Sequence, residues 1–195
     1  MAIFGKARFG KSYQKTVGKD AKGLLQNNSI ELVSILNKHN IISDDMSVFE
    51  MGAGPGRNLH YIWKENNSIN LYANDLFEYQ SMDNMHTDIK EIITFFEGDS
   101  EDIFNECKVV NVDLLLVSDH LMHLQYDKAD NIITKILSDW KPKYIMLREV
   151  LAQYETPNHP RLFHKYDRFL TDYTLVHQSI SINAKEYFIW LLKRN

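Results

Sequence analysis

Three glycines at alternate positions follow an acid in Glu50-Met51-Gly52-Ala53-Gly54-Pro55-Gly56, between a short apolar run and an amphipathic stretch. At a strand-to-helix turn, glycine lets the backbone adopt otherwise costly dihedrals and approach a ligand closely. The helix that follows contributes unpaired N–H groups and the positive end of its dipole. A dinucleotide loop spaces its glycines Gly-x-Gly-x-x-Gly. Here the third glycine comes one residue early, and Glu50 stands two residues before the first. Such a loop suits a nucleoside with a zwitterionic amino-acid tail, whose ammonium end a carboxylate like Glu50 organises; the bland alternative is a generic glycine turn.

Three further stretches carry candidate chemistry. Asp75 closes the run Ile69 to Asp75, about 20 residues beyond Gly52, where an acid accepts hydrogen bonds from ribose hydroxyls. Asp99, in Phe96-Glu97-Gly98-Asp99-Ser100, can accept from an adenine amine while a neighbouring N–H donates to the ring. A solvated turn would account for the same acids. Ser118-Asp119-His120 follows the apolar run Val112 to Val117, at a strand end of the kind where ligands bind in open α/β sheets. His120 is the candidate general base, with a satisfied loop histidine as the alternative; His123 is read as packing at a helix start.

Positioning these residues requires alternating strands and helices. Met46 to Met51, Ile69 to Ala73, Ile93 to Phe96, Val112 to Val117 and Tyr144 to Leu147 read as strands. The continuous apolar run at Val112 suits a central parallel strand covered on both faces. Helical spacing appears at Leu59, Ile62 and Trp63, and again from Ala129 to Trp140. It is also expected from Asp83 to Glu91, and from Leu162 to Leu170 with Pro160 as its start. Asn28 and Glu31 resemble a capping box at the head of an earlier helix. Thr174 to Ile182 and Glu186 to Leu192 are strands joined too tightly for a parallel crossover, so they pair antiparallel. The fold class is therefore α/β: a three-layer sandwich around a mostly parallel sheet whose last strand is antiparallel. Residues 1–45 read as an N-terminal helical segment or cap, and 46–195 as the ligand-binding domain.

Bulk properties narrow the partners. The chain has 195 residues, 44% hydrophobic and 25% charged, with a net charge of −4. That balance disfavours a broad nucleic-acid footprint. A basic N-terminus (Lys6, Arg8, Lys11, Lys15, Lys19, Lys22) is read as a solvated segment. The lone Cys107 forms no internal disulfide and no cysteine-rich metal site. No run reaches the length of a membrane span and no secretory core is evident, so a cytoplasmic, reducing setting is expected, with no membrane partner. Oligomeric state is not legible.

Taken together and in this order, the four stretches resemble the class I S-adenosylmethionine-dependent methyltransferase superfamily, of the small-molecule type, from about Met46 to the C-terminus. The resemblance implies a Rossmann-like, seven-stranded sheet and methyl transfer from S-adenosyl-L-methionine to an oxygen or nitrogen of a small-molecule acceptor. It places Glu50, Gly52, Ala53, Gly54 and Gly56 around the methionine moiety. Asp75 and Leu76 would hold the ribose and flank the adenine, Asp99 and Ser100 would hold the adenine, and Ser118 and Asp119 would face the crevice. Tyr13, Glu149 and Tyr154 are candidates to line the acceptor space. Ser118-Asp119-His120-Leu121 stands where base-amino DNA methyltransferases have Asn or Asp, Pro, Pro and an aromatic residue, which argues against that activity. Asp119 and Glu149 alone do not make an octahedral metal site, and none is expected. An enzyme that cleaves the same cofactor without methyl transfer, and a non-catalytic cofactor-binding protein, fit the same residues.

Overall fold

Strands form where apolar residues run unbroken, and the runs here are short. In the computed structural model, β1 (Ser47–Met51), β2 (Asn70–Asp75), β3 (Thr94–Glu97), β4 (Leu114–Ser118) and β5 (Tyr144–Val150) are mutually parallel. The structure describes residues 22–75, 87–106, 111–150, 154–156, 159–161, 166–182 and 186–195. A two-stranded unit, β6 (Tyr154–Thr156) with β7 (His159–Arg161), stands apart from the main sheet. β8 (Tyr173–Ile180) and β9 (Tyr187–Arg194) complete a seven-stranded sheet in the order β3-β2-β1-β4-β5-β9-β8. β9 runs antiparallel to both neighbours and lies inside the sheet, as the short connection and the apolar run from Tyr187 predict.

Alternate residues of the central strands divide between two layers. Val48, Leu71, Leu114, Leu116, Met146 and Ile189 face one way, towards α1 (Lys22–Lys38) and α2 (Arg57–Glu65), and meet Leu32, Leu36, Leu59 and Ile62. Phe49, Met51, Leu115, Val117, Ile145 and Leu147 face the other way, against α3 (Ser100–Glu106) and α4 (Tyr126–Lys135). Coverage of both faces explains why β4 reads as an uninterrupted apolar run. The side chains that α1 contributes belong to the same core as the strands.

Some sequence expectations give way. Asn28 and Glu31 do not start a helix, because α1 is already under way at Lys22. Glu31 instead accepts from Ser181 Oγ at 2.7 Å and from the Ile182 N–H at 2.8 Å, tying α1 to the end of β8. Pro160 lies in β7 and starts no helix. Beyond it, Tyr166–Thr171 is a 3₁₀ run. Its buried residues Tyr166 and Phe169 are three apart, the spacing that eclipses side chains in that helix. Residues 162–165 lie outside the described residues. So does the first part of the helix expected from Asp83 to Glu91, and positions 87–92 are turns.

Candidate functional site

The glycine loop joins the carboxyl end of β1 to α2. Gly52, Gly54 and Gly56 have φ of +66°, +53° and +68°, left-handed values that disfavour every residue with a side chain. Alternate glycines are thus a direct consequence of the loop's path. The space above Gly54 is open: nothing lies within 4 Å of where a Cβ would stand. Buried Ala53 donates its N–H to Asn74 O at 3.0 Å. Asp75, half-buried at the end of β2, accepts the Gly54 N–H at 2.8 Å through Oδ2. The sequence-predicted ribose acid is therefore brought onto the loop itself.

Glu50 lies beneath the loop, on the α2 side. Its Oε1 accepts from Asn58 Nδ2 at 2.6 Å, and Asn58 Oδ1 accepts from Ser29 Oγ at 2.7 Å. The second carboxyl oxygen is buried and has no hydrogen-bond partner among the described residues. Burial pushes this acid up to about 8, against the Asn58 amide, the Arg57 charge and the Leu59 N–H; Asp75 adds to the rise. A neutral acid next to a carboxylate is an environment that a cationic group would relieve.

On the other side of the crevice, His120 follows β4. Its ring packs on Gly52: a Cβ there would meet Nδ1 at 2.1 Å. Its Nε2 lies 2.8 Å from Ser100 Oγ, which also receives Asn74 Nδ2 at 3.2 Å. Burial pushes the imidazole down to about 4, with the Asp99 carboxylate opposing and Lys128 adding. The half-buried ring already has its Nε2 engaged by Ser100.

Glu149, expected to line the acceptor space, is fully buried instead. Its carboxylate accepts the N–H groups of His120, Leu121 and Met122 at 3.0, 2.9 and 3.1 Å, clamping the turn after β4. Burial and the Asp119 carboxylate push it up to about 8, while the three N–H donors pull the other way. The buried Tyr166 phenol beside it is raised too, by burial and by Glu149. Asp119 has φ +56°. Nη1 of the buried Arg148 donates to both of its oxygens at 2.6 Å, and that guanidinium stacks over Tyr187 at 4.2 Å. Ser118 is half-buried at the strand end, paired in register with Arg148.

Asp99 accepts the Glu101 N–H at 3.0 Å and forms an ion pair with Lys128. Burial works to raise its carboxyl, but Lys128 and that N–H hold it below the usual range. Asp99, Ser100, Ser118, Asp119, His120 and the glycine loop therefore gather at the carboxyl ends of β1 to β4. Leu76 and Tyr13 lie outside the described residues, and so does the side chain of Tyr154. His123, read as packed, is exposed on the turn Leu121–His123, against which β7 rests. Asn58, Asn74 and Arg148 escaped sequence reasoning; the only local signals were their places beside Gly56, Asp75 and Glu149. A groove of about 510 Å³ lined by Trp63, Asn70, Leu71, Ile92 and Thr94 lies at the amino ends of β2 and β3, away from these residues.

No protein-family model and no curated protein matches the sequence. Solved structures match the fold throughout. An O-methyltransferase family protein from Burkholderia thailandensis superposes with a TM-score of 0.67 at 15% identity, over 93% of this chain and 63% of that one. This chain therefore spans less than two thirds of that relative's length. Magnesium protoporphyrin IX methyltransferase from Synechocystis PCC 6803, solved with bound S-adenosylmethionine, gives 0.67 at 15% identity, over 97% and 88%. A small RNA methyltransferase gives 0.63 at 16% identity, over 86% and 25%. The fold of this chain is the Rossmann-like fold of these methyltransferases, with the antiparallel strand in its interior.

Proposed function

We propose that this chain is an S-adenosylmethionine-dependent methyltransferase that methylates an oxygen or nitrogen of a small molecule. The observation that carries the reading is the joined unit of three left-handed glycines and Asp75, at the carboxyl ends of β1 and β2. The residues present fit the cofactor. The space above Gly54 is open to a close-lying ligand, Asp75 offers a carboxylate on the loop at the end of β2, and Asp99 with Ser100 stands at the next strand end. Buried Glu50, unpartnered at one oxygen, supports the binding of a cationic tail.

When bound, the sulfonium supplies an already activated methyl group, so the protein's task is alignment and exclusion of water. Glu149 fixes the turn after β4 through three N–H groups, and Arg148 fixes Asp119 beside it. These contacts hold the strand ends that face the acceptor. His123 is exposed on the turn Leu121–His123, next to β7. Tyr13 and Tyr154 remain proposals for the acceptor lining, and Leu76 for the adenine. The net charge of −4 favours a small acceptor over a polyanion.

No helix among the described residues is long and apolar enough to cross a membrane, and the lone cysteine suits a cytoplasmic setting. Residues 1–45 are proposed as an N-terminal helical segment or cap, of which α1 shares the core of the sheet. The test is product analysis with S-adenosylmethionine and fractionated metabolite pools. Release of S-adenosylhomocysteine with a methylated acceptor supports the reading. Methylthioadenosine as product would assign a cofactor-cleaving enzyme, and binding without turnover a non-catalytic one.

A further inference from the structure

The His120 ring sits in a chain of polar groups whose donor and acceptor roles can be assigned one by one. A backbone N–H only donates and a carbonyl only accepts. The Gly52 N–H faces Asn74 Oδ1 at 3.4 Å, and Gly98 O faces Asn74 Nδ2 at 3.3 Å. Both neighbours agree on the orientation of the Asn74 amide. The same Nδ2 therefore donates to Ser100 Oγ at 3.2 Å. Ser100 Oγ has one proton and two lone pairs, and its hydrogen-bond partners among the described residues are Asn74 Nδ2 and His120 Nε2, the latter at 2.8 Å, so the arrangement that satisfies every group sends the hydroxyl proton to Nε2. An Nε2 that accepts leaves the ring proton on Nδ1.

The Nδ1 side of the ring is the side that lies on the glycine loop. A Cβ built on Gly52 would stand 2.1 Å from Nδ1, 2.6 Å from Cγ and 2.9 Å from Cε1, so the loop backbone lies against the ring at that edge. No hydrogen bond from a described residue reaches Nδ1, whereas the His120 main chain is pinned by its N–H to Glu149 Oε1 at 3.0 Å. A polar hydrogen held over a ligand loop by buried partners is a preorganised donor.

We infer that His120 serves as a neutral hydrogen-bond donor through Nδ1–H to an oxygen of the nucleoside ligand on the glycine loop, and not as a general base. The inference rests on the proposed reading of that loop. The oxygen is either the carboxylate of the amino-acid tail or a ribose hydroxyl, both of which accept. The charge environment agrees: Asp99 and Lys128 face the ring with opposite effects, and burial keeps it uncharged through the physiological range. The sequence Asn74, Ser100, His120 is thus a positioning relay that runs from the loop amide back to the loop face. It joins the ends of β1, β2, β3 and β4.

Nitrogen-15 NMR of histidine-labelled protein reads the tautomer directly. The expected result is an Nδ1–H ring at position 120 that does not titrate between pH 5 and 9. Calorimetric titration with S-adenosylhomocysteine supplies the second arm. His120→Asn keeps an amide donor near the Nδ1 position, whereas His120→Gln places its amide near Nε2 and His120→Ala removes both. The Asn variant is expected to bind close to wild type, and the Gln and Ala variants roughly 3- to 10-fold more weakly, the net worth of one hydrogen bond. Methylthioadenosine, which lacks the carboxylate, distinguishes the two oxygens. A deficit of the Gln variant with both ligands assigns the ribose, and a deficit with S-adenosylhomocysteine alone assigns the carboxylate. An Nε2–H tautomer, a titration midpoint between pH 5 and 9, or a Gln variant that binds better than the Asn variant overturns the inference while leaving the cofactor reading intact. Failure of the wild type to bind S-adenosylhomocysteine overturns both.

Discussion

Two buried glutamates, Glu50 at the end of β1 and Glu149 at the end of β5, occupy similar places and do opposite work. Both are pushed up to about 8. Glu149 collects the N–H groups of three successive residues and so defines the turn that carries His120. Glu50 collects the Asn58 amide, with the Leu59 N–H adding a weaker pull, and its Oε2 is buried without a hydrogen-bond partner among the described residues. Convergent donors mark a carboxylate that builds structure. A buried carboxyl with an unsatisfied oxygen is stabilised by a positive charge brought beside it. The β4–β5 side of the crevice is therefore the clamp, and the β1–β2 side is the one proposed to take the ligand.

The largest effect should come from the clamp. Glu149→Ala removes the acceptor of three N–H groups, of which those of Leu121 and Met122 are buried, each of these worth about 1–3 kcal/mol when left unsatisfied. A loss of about 3 kcal/mol or more is expected in urea denaturation, a large share of ordinary domain stability. Glu50→Gln should cost far less, because Gln keeps an acceptor for Asn58. Equal losses in the two variants would erase the distinction.

Gly52→Ala comes next. Its Cβ would collide with His120 Nδ1, and φ +66° is strained for alanine. Affinity for S-adenosylhomocysteine should drop at least about 10-fold, given strain of roughly 1–3 kcal/mol. In urea denaturation, adding His120→Ala should recover part of the stability that Gly52→Ala loses, because the colliding ring is gone. No recovery would mean that the collision is not what closes the loop. Asp75→Ala should weaken the same ligand by roughly 10- to 100-fold through loss of charge-assisted hydrogen bonds to the ribose. An unchanged dissociation constant in the folded variant would move Asp75 out of the site.

The smallest effect is the pH response of Glu50. In the unfolded chain this acid releases its proton near 4.5, whereas in the fold it holds the proton to about 8. Between those values the folded state binds more protons, so stability falls as pH rises. Glu149 contributes in the same direction. His120, pushed from 6.5 to about 4, contributes the reverse and only below about 6.5. The decline in Tm should therefore be clearest from about pH 6.5 to 8 and become shallower in Glu50→Gln. A Glu50→Gln profile parallel to wild type would show that Glu50 is ionised in the fold.

Much of this was legible in the sequence, where the cause is local. Glycines at alternate positions reflect three left-handed sites, and the run through Val112 to Val117 reflects a strand covered on both faces. The tight link before Glu186 dictated the antiparallel β9. Other contacts join residues far apart in sequence, and periodicity does not register them. Glu149 looked like a strand-end acid facing the crevice until the turn at 120–122 closed over it. Asp119 belongs to Arg148, and Asn74 to Ser100, through partners 29 and 26 positions away. Glu31 had the spacing of a cap but meets β8 from 150 positions away. Polar side chains were identified as reactive from type and position, whereas their actual roles depend on which backbone groups the fold leaves needing a partner.

The central claim, that the Glu50-to-Gly56 loop with Asp75 is built for the S-adenosyl nucleoside, is tested most directly by calorimetric titration of the full chain with S-adenosylhomocysteine and, in parallel, with NAD. Saturable binding of S-adenosylhomocysteine, lost in Asp75→Ala, with no measurable binding of NAD, is the predicted result. Tighter binding of NAD, or no binding of S-adenosylhomocysteine by the folded wild-type protein, would contradict it.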